Sequence, residues 1–140
     1  MANIVSREDW IEARKQLLEQ EKAHMRRSDE IAAARRALPW VRIDKTYVFE
    51  TERGRKSLAE LFDGRSQLIT YHFMFQPGWE AGCHGCSFLA DHFDGANLHL
   101  AHHDVTLVAV SRAPLPEFLP YKQRMTWQFE WVSSHGSDFN

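Results

Sequence analysis

An α/β fold is the class this sequence predicts, and three stretches carry that prediction. Residues 68–75 form an almost wholly apolar run, Leu68-Ile69-Thr70-Tyr71-His72-Phe73-Met74-Phe75. A helical pattern follows, from Ser87 to about His102, and then a second apolar run, Val105-Thr106-Leu107-Val108-Ala109-Val110. Strand, helix, strand in that order is a βαβ unit, because two parallel strands need a crossover long enough to hold a helix. Between the first strand and the helix, after the turn Gln76-Pro77-Gly78-Trp79, stands Cys83-His84-Gly85-Cys86.

From the N-terminus, Ser6 with Asp9 three positions on resembles a capping box, with Asp in place of the usual Glu. A helix should start at about Arg7. Trp10, Ile11, Arg14, Leu17, Leu18 and Met25 give it a partly regular apolar stripe. Arg26-Arg27-Ser28-Asp29 interrupts the stripe, with Ser28 or Asp29 placed to cap a second helix from Glu30 to about Ala37. A helical hairpin and one long helix packed on a partner subunit both fit this pattern. The basic residues there, Arg26, Arg27, Arg35 and Arg36, read as a solvated face because acids are interleaved. Pro39 ends the helix, since it disfavours α geometry at Leu38. Residues 1–38 are therefore expected to be a helical N-terminal extension, and residues 39–140 the main domain.

Val41-Arg42-Ile43 and Tyr47-Val48-Phe49 read as short strands. Glu52-Arg53-Gly54-Arg55 is a turn, and residues 57–62 a short helix capped by Ser57. Asp63-Gly64 is a second turn. Residues 67–75 read as the central strand, since a continuous apolar run suits burial on both faces. The helix after the cysteines should bury Leu89, Phe93, Ala96 and Leu100, which share one helical face. Gly95 inside it marks either close packing or a break. Pro114 and Pro116 open a loop, residues 117–125 suit a further helix, and residues 127–132 alternate as a strand. A polar turn, residues 133–138, follows.

At 140 residues the chain fits one domain and needs no staples to bury a core. Hydrophobic residues at 44% and charged residues at 26% are ordinary for a globular protein. Nineteen acidic residues offset seventeen basic ones, and the net charge of −2 argues against nucleic acid as a partner. No apolar run reaches the length of a membrane span. Residues 1–5 pass at once into a charged helix, so no signal peptide is evident and the cytoplasm is the expected location. There, two neighbouring cysteines point to catalysis or metal binding rather than to a permanent staple.

The chemistry of Cys83 and Cys86 follows from the helix start. The first turn leaves backbone N–H groups unpaired and carries partial positive charge. A thiolate there is stabilised and becomes a usable nucleophile near neutral pH. Cys83 is then the attacking thiol, and Cys86, one turn on, resolves the mixed disulfide. His84 between them would favour the thiolate further if charged. Two buried small hydrophobes and half of a zinc site are the competing readings of the same pair. His99 with His102 or His103 has a metal-gripping spacing, though histidines at a helix end also suit the helix dipole. Trp79 and Trp40 are either walls of the thiol site or core filling. Arg112 follows the second strand at its carboxyl end, where ligands gather in open α/β sheets, and is a candidate for an anionic substrate. No dinucleotide or phosphate fingerprint appears, so no cofactor or resident metal is expected.

Several strings carry a family resemblance: Leu38-Pro39-Trp40-Val41, Gly64-Arg65-Ser66-Gln67-Leu68-Ile69, Gly82-Cys83-His84-Gly85-Cys86-Ser87-Phe88, Ala90-Asp91-His92-Phe93-Asp94-Gly95, Val110-Ser111-Arg112-Ala113-Pro114 and Trp131-Val132-Ser133-Ser134. With the apolar strand they cover nearly the whole chain. The order Tyr47-Val48-Phe49, then residues 57–65, the apolar strand and the cysteines is similar to the opening of peroxiredoxin-type thioredoxin folds; more closely, the strings above resemble the thioredoxin-like proteins called domain of unknown function 899. The resemblance implies a thioredoxin-like fold and a two-cysteine site, with no established substrate. The chain departs from the wider pattern in three ways. His84-Gly85 stands where thioredoxin-type motifs often have a proline, and Glu80 stands where peroxiredoxins have Thr or Ser. The final β-hairpin and helix of such folds would lie past Asn140, so a fragment, a truncated relative or a sheet edge completed by a partner is expected, a homodimer being one such association.

The expected function is thiol–disulfide exchange with a protein or small-molecule disulfide or thiol. Its rivals are a non-catalytic zinc- or redox-sensing interaction module and an inactive truncated paralogue.

Overall fold

The computed structural model describes residues 3–139. The chain divides into two compact units, Met1–Ile43 and Asp44–Asn140. The first is dominated by one continuous helix, α1 (Arg7–Arg36). Ser6 caps it as expected: its Oγ accepts the Asp9 N–H at 3.0 Å and donates to the Asp9 carboxylate at 2.7 Å. Acids occupy the first turn and Arg35 and Arg36 the last, the order that the helix dipole favours. The second cap expected at Ser28 or Asp29 is absent. Arg27 instead pairs with Glu30 at 2.8 Å, as Lys22 does with Glu19 at 3.1 Å, and such pairs one turn apart favour continuation of the helix. The strand expected at residues 41–43 does not form, and Val41 and Ile43 are exposed.

The second unit is a mixed α/β domain. Its elements are β1 (Val48–Thr51), β2 (Gly54–Ser57), β3 (Gln67–His72), α2 (His84–Phe93), α3 (Asn97–His102), β4 (Val105–Ser111), α4 (Leu115–Met125) and β5 (Glu130–Ser133). They build a five-stranded sheet in the order β2-β1-β5-β4-β3. β3, β4 and β5 run parallel, and the hairpin β1–β2 joins β5 antiparallel. Between β2 and β3, Ser57 and Glu60 satisfy each other's backbone N–H groups and start a 3₁₀ turn, Glu60–Phe62, where a short helix was expected.

Alternation along β4 divides the core. Leu107 and Ala109 face a cluster with Phe73, Phe75, Ala90, Phe118, Tyr121, Trp127, Phe129 and Trp131. Val108 and Val110 face the other side, against Phe49, Leu61 and Val132. β4 is therefore the strand covered on both faces, and the central position expected for residues 67–75 is corrected. β3 is the last strand in the sheet order, and Ile69 on it is 44% exposed. The apolar character of that run has another cause. Its last residues, Phe73 and Phe75, lie beyond the ladder and are buried.

The helical pattern after the cysteines also divides. α2 ends at Phe93, Gly95 lies in the break, and α3 begins at Asn97. The Asp94 carboxylate receives the backbone N–H groups of Gln128 and Phe129 at 2.8 and 2.9 Å, tying the break to the approach to β5. Leu89, expected inside, is 49% exposed. The buried positions of α2 are Ser87 and Ala90, with Cys86 and Phe93 packed on the core.

At the end of β4 the buried Ser111 side chain ties two neighbouring segments together. The Ser111 Oγ donates to the Phe73 carbonyl at 2.7 Å and accepts the Trp131 indole N–H at 2.9 Å. Trp131 is fully buried, stacked on Phe118 at 4.6 Å. Ser111→Ala leaves a buried carbonyl and a buried indole N–H unpaired, so we expect a loss of about 1–3 kcal/mol, read from urea unfolding.

Candidate functional site

The site begins where β3 runs out. Phe73 N–H bonds to the Val110 carbonyl at 2.9 Å and Ala113 N–H to the Phe75 carbonyl at 3.1 Å, so residues 73–75 stay extended beside the end of β4. Met74 lies between these anchors. Its carbonyl accepts the Cys83 N–H at 3.3 Å, and its N–H points at the Cys86 sulfur at 3.4 Å. The backbone of one residue thus holds both cysteines. The loop between is a tight excursion: Gly78 adopts a positive φ of 82°, and its N–H donates to Glu117 on α4 at 2.7 Å.

Gly82 explains how closely the loop returns. A Cβ there would meet the Phe73 ring at 2.6 Å and the Tyr121 ring at 2.9 Å. Only glycine lets the backbone sit on those rings and start α2 at His84. Cys83 is the N-cap of α2. Its carbonyl takes the Ser87 N–H and the Ser87 hydroxyl, each at 2.9 Å, and Ser87 in turn contacts the Tyr121 hydroxyl at 2.8 Å. The first turn of α2 is therefore anchored to α4 through Ser87 and Tyr121.

As a neutral thiol Cys83 closes no full capping bond. As a thiolate it is favoured, and its thiol is held below the ordinary value. The backbone N–H of Cys86 is the leading cause, followed by the Cys86 thiol and the backbone N–H of Gly85, against a small opposing effect of burial. These are the unpaired donors of a helix start acting on an anion. Cys86 lies deeper, packed against the core cluster. Burial pushes the Tyr71 phenol well above its ordinary value, with Cys86 and then Cys83 adding to the effect. Both cysteines are free thiols.

The remaining candidates fall around this centre. His84 is exposed at the first position of α2, and it is not among the groups that lower Cys83. Trp79 is partly exposed and packs on Phe75 at 6.3 Å. Trp40 is almost fully exposed in the first unit. Arg112 lies at the carboxyl end of β4 and lines a cleft of about 310 Å³ with His72, Met74, Phe75 and Gln76. Met74 is the residue that this cleft shares with the two cysteines. Among the described residues, no group of three or more His, Cys, Asp or Glu side chains is placed to hold a metal ion. That includes the histidines of α3. Also among the described residues, no helix is long and apolar enough to cross a membrane.

Three participants were not evident as such from the sequence: Tyr71, Met74 and Gly82. Tyr71 carried a weak signal, as a polar hydroxyl in an apolar strand leading to the cysteines. Two measurements check the geometry. Alkylation of Cys83 should titrate below a free thiol, so Cys83 reacts fast at neutral pH and slows as pH falls through the lowered midpoint. Cys86→Ala, which removes one of its donors, should move that midpoint upward. Gly82→Ala should cost about 1–3 kcal/mol by overpacking, visible in thermal unfolding.

A family model described as a bacterial protein of unknown function (DUF899) matches residues 1–140. No curated protein and no solved structure matches the chain.

Proposed function

We propose that this chain, which belongs to the bacterial family of unknown function DUF899, is a thiol–disulfide oxidoreductase of thioredoxin-like architecture. Cys83 is the nucleophile and Cys86 the resolving thiol. The observation that carries this reading is the placement of Cys83 at the N-cap of α2, its thiolate favoured by the Cys86 and Gly85 N–H groups and by the Cys86 thiol itself. An attacking thiol needs a stabilised thiolate and an open approach, and a resolving thiol needs to lie within reach of it. The succession β3–α2–β4–α4–β5 with three parallel strands supports the thioredoxin-like part of the reading.

The substrate is a disulfide on a protein or a small molecule. Trp79 and Arg112 are candidate contacts for it. Two cysteines this close suit catalysis in a reducing compartment such as the cytoplasm. A zinc-holding role has less support, since the two cysteines have no third ligand grouped with them among the described residues.

The test is turnover of a protein disulfide in the presence of a small dithiol reductant. Cys83→Ser should lower the rate by about a hundredfold or more, leaving only exchange in solution. Cys86→Ser should still attack and accumulate a mixed disulfide on Cys83, visible as added mass. Full turnover by Cys83→Ser would rule the reading out.

A further inference from the structure

We infer that the substrate is a small disulfide bearing carboxylates, seated with one carboxylate on Arg112 and its sulfurs at Cys83. The inference rests on the oxidoreductase reading and narrows its substrate.

The three parallel strands send their carboxyl ends to one place. Residues 73–76 follow β3, Arg112 follows β4, and residues 134–137 follow β5. The crevice outside such ends is where open α/β sheets take their ligands. Two clefts open there and share Arg112 and Gln76. One, of about 310 Å³, has apolar walls from Phe73, Met74, Phe75 and Val110. The other, of about 340 Å³, is polar, with Ser134, His135 and Ser137. Clefts of this size suit a small molecule.

Their charge selects an anion. Among the described residues, no Asp or Glu lines either cleft. Two further clefts of the domain are each lined by Asp63 and Glu130. Arg112 is exposed, and its guanidinium pairs with no carboxylate among the described residues. Asp138, which follows the polar cleft in the chain, is engaged by Lys45. The His135 ring donates from Nδ1 to the Arg112 carbonyl at 3.2 Å and so fixes the backbone that carries the guanidinium. A guanidinium left unpaired beside an apolar wall takes a carboxylate through two parallel hydrogen bonds.

The thiols lie within reach of that carboxylate's other end. Phe73 N–H bonds to the Val110 carbonyl and Ala113 N–H to the Phe75 carbonyl, so Arg112 runs beside Met74. Met74 points its own backbone groups the opposite way, and its carbonyl takes the Cys83 N–H at 3.3 Å. Adjacent extended segments are about 5 Å apart, which puts the Arg112 and Cys83 backbones about 10 Å apart. The arginine side chain and an arm of a few bonds between carboxylate and sulfur bridge that span.

The Cys83 thiolate then bonds to one substrate sulfur. The substrate S–S bond breaks, and the other half leaves as a thiolate that takes a proton from solvent. Cys86 gives its proton to solvent and bonds to the Cys83 sulfur, and the seated half leaves as a second thiolate. Two electrons pass from the cysteine pair to the substrate, and a dithiol reductant returns them.

The experiment follows turnover by the full chain, with a dithiol reductant, of oxidised glutathione and of the same disulfide with its carboxylates esterified. We expect the ester to have a KM about tenfold higher, the scale of one hydrogen bond to a charged group, with kcat changed by less than about twofold. Arg112→Ala should raise the KM for the acid by a similar factor and leave that for the ester unchanged. Arg112→Lys, which keeps the charge, should recover part of the loss. Equal KM values for acid and ester, or an Arg112→Ala effect shared by both, would overturn the inference. If the wild type turns over neither disulfide, the oxidoreductase reading fails instead. Binding of S-methylglutathione, which has no disulfide to exchange, then decides the seat. Saturable chemical-shift changes that weaken with Arg112→Ala sustain it. No saturable binding, or binding indifferent to Arg112, overturns it.

Discussion

The backbone of Met74 is the constraint on which the site depends. Its carbonyl receives the Cys83 N–H and its own N–H faces the Cys86 sulfur. It holds that position because the residues on either side are immobilised. Phe73 is bonded to Val110 and to the Ser111 hydroxyl, and Phe75 to Ala113. Ser111 is in turn fixed by the indole of the buried Trp131. The path from core to chemistry is short: an aromatic cluster orients a serine, the serine orients an extended segment, and that segment holds two thiols. Buried polar groups that are fully paired give this kind of geometric definition.

Electrostatics at the site come from the backbone more than from charged side chains. Cys83 leans on the amides of Cys86 and Gly85 and on the neighbouring thiol. The residues between the cysteines leave both N–H groups free to serve, since neither is proline. Gly82 contributes by absence, because any Cβ would strike Phe73 and Tyr121. Burial, with the neighbouring cysteines, keeps the Tyr71 phenol protonated.

Much of this was legible in the residues and some was not, for identifiable reasons. The αβ class, the helix start at the cysteines and the buried run at Val105–Ser111 follow from periodicity and capping signals. The place of β3 at the end of the sheet did not. A continuous apolar run reads as a central strand, and here its last residues are apolar because they extend past the ladder into the core. Of the inward face expected after the cysteines, Phe93 and Leu100 do pack on the core, but Leu89 is exposed and its place is taken by Ala90. In α1 the interruption read at Arg26–Asp29 is bridged by the Arg27–Glu30 pair. At the site, Cys83 and Cys86 declare themselves by their spacing. Met74 does not, since it acts across the strand-to-helix gap.

The proposed function requires that Cys83 and Cys86 form one reversible redox pair with unequal thiols. Equilibrating the full chain in defined mixtures of reduced and oxidised glutathione, then acid-trapping and mapping the thiols by mass, tests it most directly. The account predicts a single internal Cys83–Cys86 disulfide that appears and disappears reversibly across the series, with Cys83 the thiol captured by glutathione on the way. Two thiols that each take up glutathione and never pair with one another would contradict it.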